Sequence, residues 1–145
     1  MTGKIAIVML SLALLMPMVS ARDSDEQQAV RKPLELYLQA HATGKGEYIL
    51  QAFSPDAKIL FVQNGKYSQF TREEFAARFY GKPAADEEKR VRRIVSVDIT
   101  GTAANAKILL DYPKVTFTDY MSLLKIDGEW KIVNKIFNAQ PKPNS

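Results

Sequence analysis

The sequence predicts an α+β domain, with helices first and an antiparallel sheet after them. Apolar residues recur at helical spacing in much of the first 80 residues, and from Val91 onward they follow the two-residue period of strands. The chain has 145 residues, of which 46% are hydrophobic and 25% charged. That size and composition are typical of one domain. We therefore expect helices packed against one face of a single sheet.

Residues 1–21 have the pattern of a secretory signal peptide. Lys4 gives a basic start, residues 5–15 are continuously apolar, and small residues precede a cleavage position after Ala21. The apolar run is about half of the roughly 20 residues that span a bilayer, which leaves an uncleaved membrane anchor as the alternative. The sequence contains no cysteine, and a secreted protein without disulfides fits a bacterial periplasm. We expect a periplasmic protein with no membrane contact after cleavage.

Three helices are predicted ahead of the sheet. The first begins at a capping-box pattern near Asp25 and ends at Gly44, and Pro33 should kink it or mark its start. The second covers residues 47–53, and the third covers residues 71–81 after another capping box. The apolar stripe of the first helix consists of Val30, Leu34, Tyr37, Leu38 and His41.

Six strands are predicted. Residues 58–63 and 67–70 flank Asn64-Gly65, a pair that favours a two-residue hairpin. The later strands cover residues 91–99, 103–112, 115–126 and 130–137. The mature domain then occupies residues 22–139, and the proline-rich residues 140–145 form a disordered tail.

The strand at residues 115–126 has apolar side chains on both faces, whereas one face of an antiparallel sheet is usually wet. One face carries Val115, Phe117, Met121 and Leu123, and the other carries Tyr120, Leu124 and Ile126. If one face covers the helices, the other needs a partner. A homodimer through the sheet is the expected arrangement, and an accessory subunit that meets a different protein is the alternative.

Composition excludes several classes of function. The formal charge of +4 is too small and too dispersed for nucleic-acid binding, and the charged run at residues 87–93 fits a solvated edge strand. The absence of cysteine and the single histidine, His41, leave no thiolate or paired-histidine metal site. No phosphate loop or dinucleotide motif is present. We therefore expect neither a metal nor a cofactor.

The most specific stretch of the sequence runs from Phe117 to Phe137. It resembles the closing hairpin of the putative lumazine-binding family, within the cone-shaped nuclear-transport-factor-2-like (NTF2-like) superfamily. The matching positions are Asp119, Leu123, Asp127-Gly128, Trp130-Lys131-Ile132 and Lys135. Residues 53–57 are similar to the family's motif after the second helix, with Ser54 where a histidine is usual. The resemblance covers about residues 25–138.

This resemblance implies a curved sheet around the long helix, a pocket at the open end of the cone, and a dimer. A pocket with an aromatic lining would bind a small hydrophobic or aromatic molecule, which we expect to be bound without turnover. The residues expected to contact the ligand are Tyr37, His41, Phe61, Phe75, Phe79, Tyr120 and Ser122.

An enzyme is the alternative, because the superfamily includes proteins that resemble ketosteroid isomerase. Of the three acid–base groups that isomerase chemistry needs, only Tyr37 is present; Phe61 and Ser122 occupy the other two positions. Asp119 is the remaining candidate catalytic group, since burial could raise its pKa. Asp119 has two structural alternatives: it forms an ion pair with a basic side chain, or it lies in the dimer contact. The alternative function is a cofactor-free dehydratase, cyclase or isomerase that uses Asp119 with Tyr37 or His41.

Overall fold

The computed structural model describes residues 18–143 of the chain, with side chains from Ser24 onward. The helices are α1 (Met18–Thr43), α2 (Glu47–Ala52) and α3 (Arg72–Ala76), with one turn of 3-10 helix at Glu87–Lys89. The strands are β1 (Phe53–Gln63), β2 (Lys66–Thr71), β3 (Val91–Thr100), β4 (Ala103–Asp111), β5 (Val115–Ile126) and β6 (Glu129–Pro141). The expected α+β class is confirmed. Most of the predicted signal segment lies outside the described residues, and no described helix has the length and apolarity to cross a membrane.

The six strands form one sheet in the order β2-β1-β6-β5-β4-β3. Every neighbouring pair is antiparallel except β1 and β6, which are parallel. The last strand in sequence therefore lies between the first hairpin and the remaining three strands. Register shifts between Phe53 and Lys58, Ile94 and Ser96, and Ser122 and Leu123 mark bulges, which bend strands and help the sheet curve around α1.

Helix α1 packs on the inner face of the sheet through the predicted apolar stripe. Val30, Leu34 and Tyr37 have no solvent-exposed surface, and Leu38 packs partly buried against the same core. The helix begins well before Asp25, so Ser24 lies inside it and the predicted start was wrong. Pro33 also lies within the continuous helix, about four turns from the observed start.

The other boundaries differ from the predictions by a few residues. Helix α2 ends at Ala52 because the chain becomes extended at Phe53, so β1 starts before Ser54. The capping box at Thr71 is present, but α3 ends at Ala76 rather than at Gly81. Residues beyond Ala76 continue in tight turns, such as the hydrogen bond from Phe79 N to Ala76 O. Strand β6 reaches Pro141, so the predicted tail begins too early.

Gly44 closes α1 and joins it to a distant loop. Its φ of +69° is in the left-handed region, and its amide donates to Ala40 O over 2.8 Å. Gly81 N in turn donates to Gly44 O over 2.7 Å. A Cβ atom on Gly44 would lie 1.9 Å from Lys82 O, so only glycine allows this approach.

A bulge in β6 sets which side chains of that strand face α1. Trp130 and Ile132 are buried on the inner face, and the ladder with β5 then skips Val133. The alternation restarts after the bulge, so Lys135 is buried while Ile136 is 49% exposed. Without the extra residue, simple alternation from Ile132 would turn Lys135 outward.

Candidate ligand-binding site

A cavity of about 860 Å³ opens between α1, α3 and one end of the sheet. Its size falls within the range of small-molecule sites. Aromatic rings make up much of its wall, namely Tyr37, Phe61, Phe70, Phe75, Phe79, Phe117 and Phe137. Residues 78–90, which we call the rim segment, contribute Arg78, Tyr80, Lys82 and Arg90 to the lining.

The rings of the wall contact one another. Phe61 and Phe137 stack with centroids 4.9 Å apart, and Phe61 and Phe70 are 5.1 Å apart. On the helical side, Phe75 and Phe79 meet edge to face at 5.5 Å. These contacts fix flat apolar surfaces on two sides of the cavity, an arrangement that suits a planar ligand.

A buried polar cluster of Tyr37, Asp119 and Lys135 forms the base of the cavity. Tyr37 Oη donates to Asp119 Oδ2 over 2.6 Å, and Lys135 Nζ lies 3.0 Å from Asp119 Oδ1. Asp119 is fully buried and Lys135 is 3% exposed. The Lys135 ammonium is the ion-pair partner of Oδ1, and no other group among the described residues donates a hydrogen bond to this oxygen. This oxygen can still accept a hydrogen bond from a ligand.

The strand register brings the two charges together. Asp119 on β5 is directly opposite Phe137 on β6, and Lys135 is its diagonal neighbour. The Lys135 ammonium lies 3.9 Å from the centroid of the Phe137 ring and 5.5 Å from that of Phe75. A carboxylate and aromatic faces therefore both stabilise the buried cation.

Burial shifts the titration of the cluster. It lowers the pKa of Lys135 from its usual value, although the Asp119 carboxylate opposes that change by favouring the ammonium. Burial also raises the pKa of Tyr37 well above its usual value, and the negative charge of Asp119 adds to the effect. Tyr37 is thus a hydrogen-bond donor at neutral pH.

His41 lies one turn of α1 beyond Tyr37, and their ring centroids are 4.7 Å apart. Burial holds the pKa of His41 well below its usual value, and the positive charges of Lys135, Arg92 and Arg90 lower it further. The imidazole is therefore neutral at pH 7. Its Nδ1 lies 3.2 Å from Tyr112 Oη, while its buried Nε2 has no hydrogen-bond partner among the described residues.

The structure brings most of the sequence-predicted site residues together. The ones that line the cavity are Tyr37, His41, Phe61, Phe75, Phe79 and Asp119. Tyr120 and Ser122 do not, because side chains alternate along β5 and these two point to the outer face. Tyr120 is 49% exposed, and Ser122 Oγ donates to Asn105 Oδ1 on that face. Tyr120 and Ser122 are therefore not part of the candidate site.

Sequence reasoning did not assign a role to Lys135 or to the rim cations. Lys135 was visible only as a matching position of the family hairpin, because the bulge hid its inward orientation. Arg92 was placed in a solvated run, but its side chain is 9% exposed and Nη2 donates to Glu87 Oε2 over 2.7 Å. Strand β3 is nevertheless the edge of the sheet, as expected.

The cone-shaped fold and the cavity at its open end define an NTF2-like protein. A solved NTF2-like protein of unknown function from Shewanella baltica OS155 is 28% identical, with a TM-score of 0.74 over 82% of this chain and 97% of that one. Another, from Methylobacillus flagellatus KT, is 31% identical, with a TM-score of 0.68 over 80% of this chain and 93% of that one. The sequence profile described as "Putative lumazine-binding" matches residues 25–138. The chain belongs to that family.

A more distant similarity is to a named enzyme. The aldolase FrzH from Cladobotryum sp is 24% identical over 119 residues, which cover 82% of this chain and 95% of that protein.

Proposed function

We propose that the protein binds a small, flat and mostly apolar molecule in the cavity and releases it unchanged. The observation that carries this proposal is a preformed space of about 860 Å³ between aromatic walls, with its charged groups at the base and in the rim segment. The family name supports a small-molecule ligand.

Native mass spectrometry tests this proposal on the protein isolated gently from its source. We expect a defined extra mass on each subunit, and we expect the purified protein to bind the flat neutral probe 2-naphthamide. Ala139→Trp should abolish both, because Ala139 lines the cavity. Ala103→Trp, at an exposed position of β4 outside the cavity, is the matched control. No retained mass together with no probe binding would contradict the proposal.

A second candidate function is acid–base catalysis without a cofactor, as in a dehydratase, cyclase, isomerase or aldolase. It is supported by the buried carboxylate of Asp119 in the cavity base and by the distant relative named as an aldolase. Asp119 would accept a proton from the carbon next to a carbonyl group, and that C–H electron pair would form an enolate. The enolate oxygen would accept a hydrogen bond from His41, while Tyr37, whose single hydroxyl hydrogen is donated to Asp119 Oδ2, would orient the carboxylate.

Hydrogen exchange at carbon separates the two candidates. With 2-acetonaphthone in D2O, an enzyme of this kind would exchange the methyl hydrogens for deuterium faster than buffer does, and Asp119→Asn would remove the effect. If the Asp119→Asn protein folds and still binds the ketone but no longer accelerates the exchange, Asp119 is catalytic. A folding defect would instead identify the structural ion pair. Exchange at the buffer rate with the unaltered protein would leave binding as the function.

We also propose that two copies associate through the outer face of the sheet. Exposed apolar side chains cluster on the outer face of β5 and β6, where Tyr120 and Ile136 are directly paired and each is 49% exposed. Leu124 and Ile126 extend the same surface along β5, at 42% and 40% exposure. Ser122 separates Tyr120 from Leu124 on this face, but exposed large apolar side chains on both sides of it still favour burial against a partner.

Export is a further part of the proposal, since residues 1–21 have the pattern of a signal peptide. Expression of the full chain in a bacterial host should release a periplasmic form that begins at Arg22, as read by N-terminal sequencing. Lys4→Glu should slow its release because the basic start is lost. Retention of Met1 on a membrane-bound product would instead support the uncleaved anchor.

A further inference from the structure

The charges around the cavity are strongly unequal. Four cations line it, namely Arg78, Lys82, Arg90 and Lys135, whereas Asp119 is its single carboxylate. Asp119 and Lys135 neutralise each other at the base. The charge that remains is positive and belongs to the rim segment.

Two of the rim cations have no carboxylate of their own. Arg90 pairs with Asp86 over 2.8 Å, but Arg78 and Lys82 form no ion pair within the described part of the chain. The Arg78 guanidinium instead lies 4.9 Å from the centroid of the Phe70 ring, which is part of the cavity wall. A cation that already lies over an aromatic wall can bind an anionic group on a ligand stacked there.

The charges near His41 agree with this excess of positive charge. After burial, the groups that lower its pKa are the cations Lys135, Arg92 and Arg90. Positive charges that oppose a proton on His41 favour an oxygen acceptor, with its partial negative charge, on a ligand beside it.

Hydrogen bonding favours one of the two neutral forms of His41. Arg92 Nε donates to Tyr112 Oη over 3.1 Å, because a guanidinium cannot accept. The Tyr112 hydroxyl hydrogen is then free to bond His41 Nδ1 over 3.2 Å. A neutral imidazole that accepts at Nδ1 carries its hydrogen on Nε2. In that form of the ring, the unpartnered Nε2 is a donor in a residue that lines the cavity.

We infer that the ligand is a flat aromatic acid with its carboxylate toward Arg78 and Lys82 and an oxygen acceptor at the opposite end. The aromatic rings hold its body, the rim cations bind its carboxylate, and His41 Nε2 donates to the inner oxygen. This inference rests on the proposed binding function and names the chemical class of the ligand.

Three matched probes test it: 6-hydroxy-2-naphthoate, its neutral amide, and 2-naphthoate, which lacks the inner oxygen. By titration calorimetry, we expect the hydroxy acid to bind about tenfold more tightly than its amide, since two exposed ion pairs contribute up to about that factor. The preference should weaken as salt is added, because Arg78 and Lys82 are exposed. We expect 2-naphthoate to bind about fivefold more weakly than the hydroxy acid, because its complex lacks one hydrogen bond.

Variants assign these effects to residues. Arg78→Gln with Lys82→Gln should remove the preference for the acid, so that the acid and its amide bind this variant with equal affinity. Arg93→Gln with Lys114→Gln, at exposed positions outside the cavity, should change neither. His41→Leu should remove the advantage of the hydroxyl group, and His41→Gln, which keeps an N–H donor, should retain part of it.

The outcomes separate this inference from the proposed function. Equal binding of the acid and its amide by the unaltered protein would overturn the inference while small-molecule binding stands. An acid preference that survives in the Arg78→Gln, Lys82→Gln variant would also overturn it. Binding of no probe at about millimolar concentration would contradict the proposed function itself.

Discussion

Asp119 and Lys135 form an ion pair that is almost completely buried from solvent. Removal of one charge leaves the other buried and unpaired, a change that costs about 3–5 kcal/mol in proteins. We therefore expect Lys135→Met to lower the free energy of unfolding by about that amount in urea denaturation. Lys131→Met, on the same strand but partly exposed, should change it by less than about 0.5 kcal/mol.

The same pair makes a prediction about coupling. Asp119→Leu combined with Lys135→Met leaves no unpaired charge, so the double variant should be clearly more stable than the sum of the two single changes implies. The four proteins of this cycle can be compared in one set of urea titrations. Strict additivity would show that the two side chains do not depend on each other.

The lowered pKa of His41 should make the stability of the protein depend on pH. Its pKa in the folded protein lies well below the usual 6.5, so the unfolded chain takes up a proton that the folded chain does not. Stability is fully present above about pH 6.5 and falls below it, by up to about 1.4 kcal/mol per pH unit. His41→Gln should remove this slope between about pH 6.5 and 5. The carboxylates with lowered pKa, such as Glu26, start from 4.5 and act at lower pH.

At the scale of elements, Gly44 ties the end of α1 to the rim segment. Gly44→Ala adds a Cβ atom 1.9 Å from Lys82 O in a left-handed conformation, so the chain must shift there. We expect a loss of unfolding free energy of about 2 kcal/mol or more, together with weaker probe binding. Gly101→Ala is the control, because Gly101 has a φ of +58° and nothing within 4 Å of the added atom. Its cost should be about 1 kcal/mol, with binding unchanged.

Elements with regular periodicity were predictable from the sequence. The stripe through Val30, Leu34 and Tyr37 gave the buried face of α1, and the Asn64-Gly65 hairpin was found where expected, with positive φ at both residues. The inward orientation of Lys135 was not predictable, because one unpaired residue, Val133, reverses the alternation and only the ladder with β5 reveals it. The parallel pairing of β1 with β6 was also missed, since it joins segments about 75 residues apart that share no local signal.

At the scale of the whole molecule, the outer sheet face predicts an oligomer. Ile136→Glu would place a charge in the centre of the proposed contact, where its desolvation is unfavourable. We expect light scattering after size exclusion to show a dimer for the unaltered protein and a monomer for Ile136→Glu. Val91→Glu, on the edge strand β3 at 59% exposure, should remain a dimer. A monomeric unaltered protein would contradict the proposed contact.

The position of β6 between β1 and β5 has a consequence for how the chain is made. Before β6 leaves the ribosome, the β1–β2 hairpin and the β3–β4–β5 meander have no strand in common, and the β1 and β5 edges that β6 will occupy have open backbone groups. Lys135 and its neighbours on β6 are also the last part of the binding site to be synthesised. The ligand cavity therefore cannot be completed before β6 is synthesised, and a nascent chain stalled before β6 should be prone to aggregation and unable to bind.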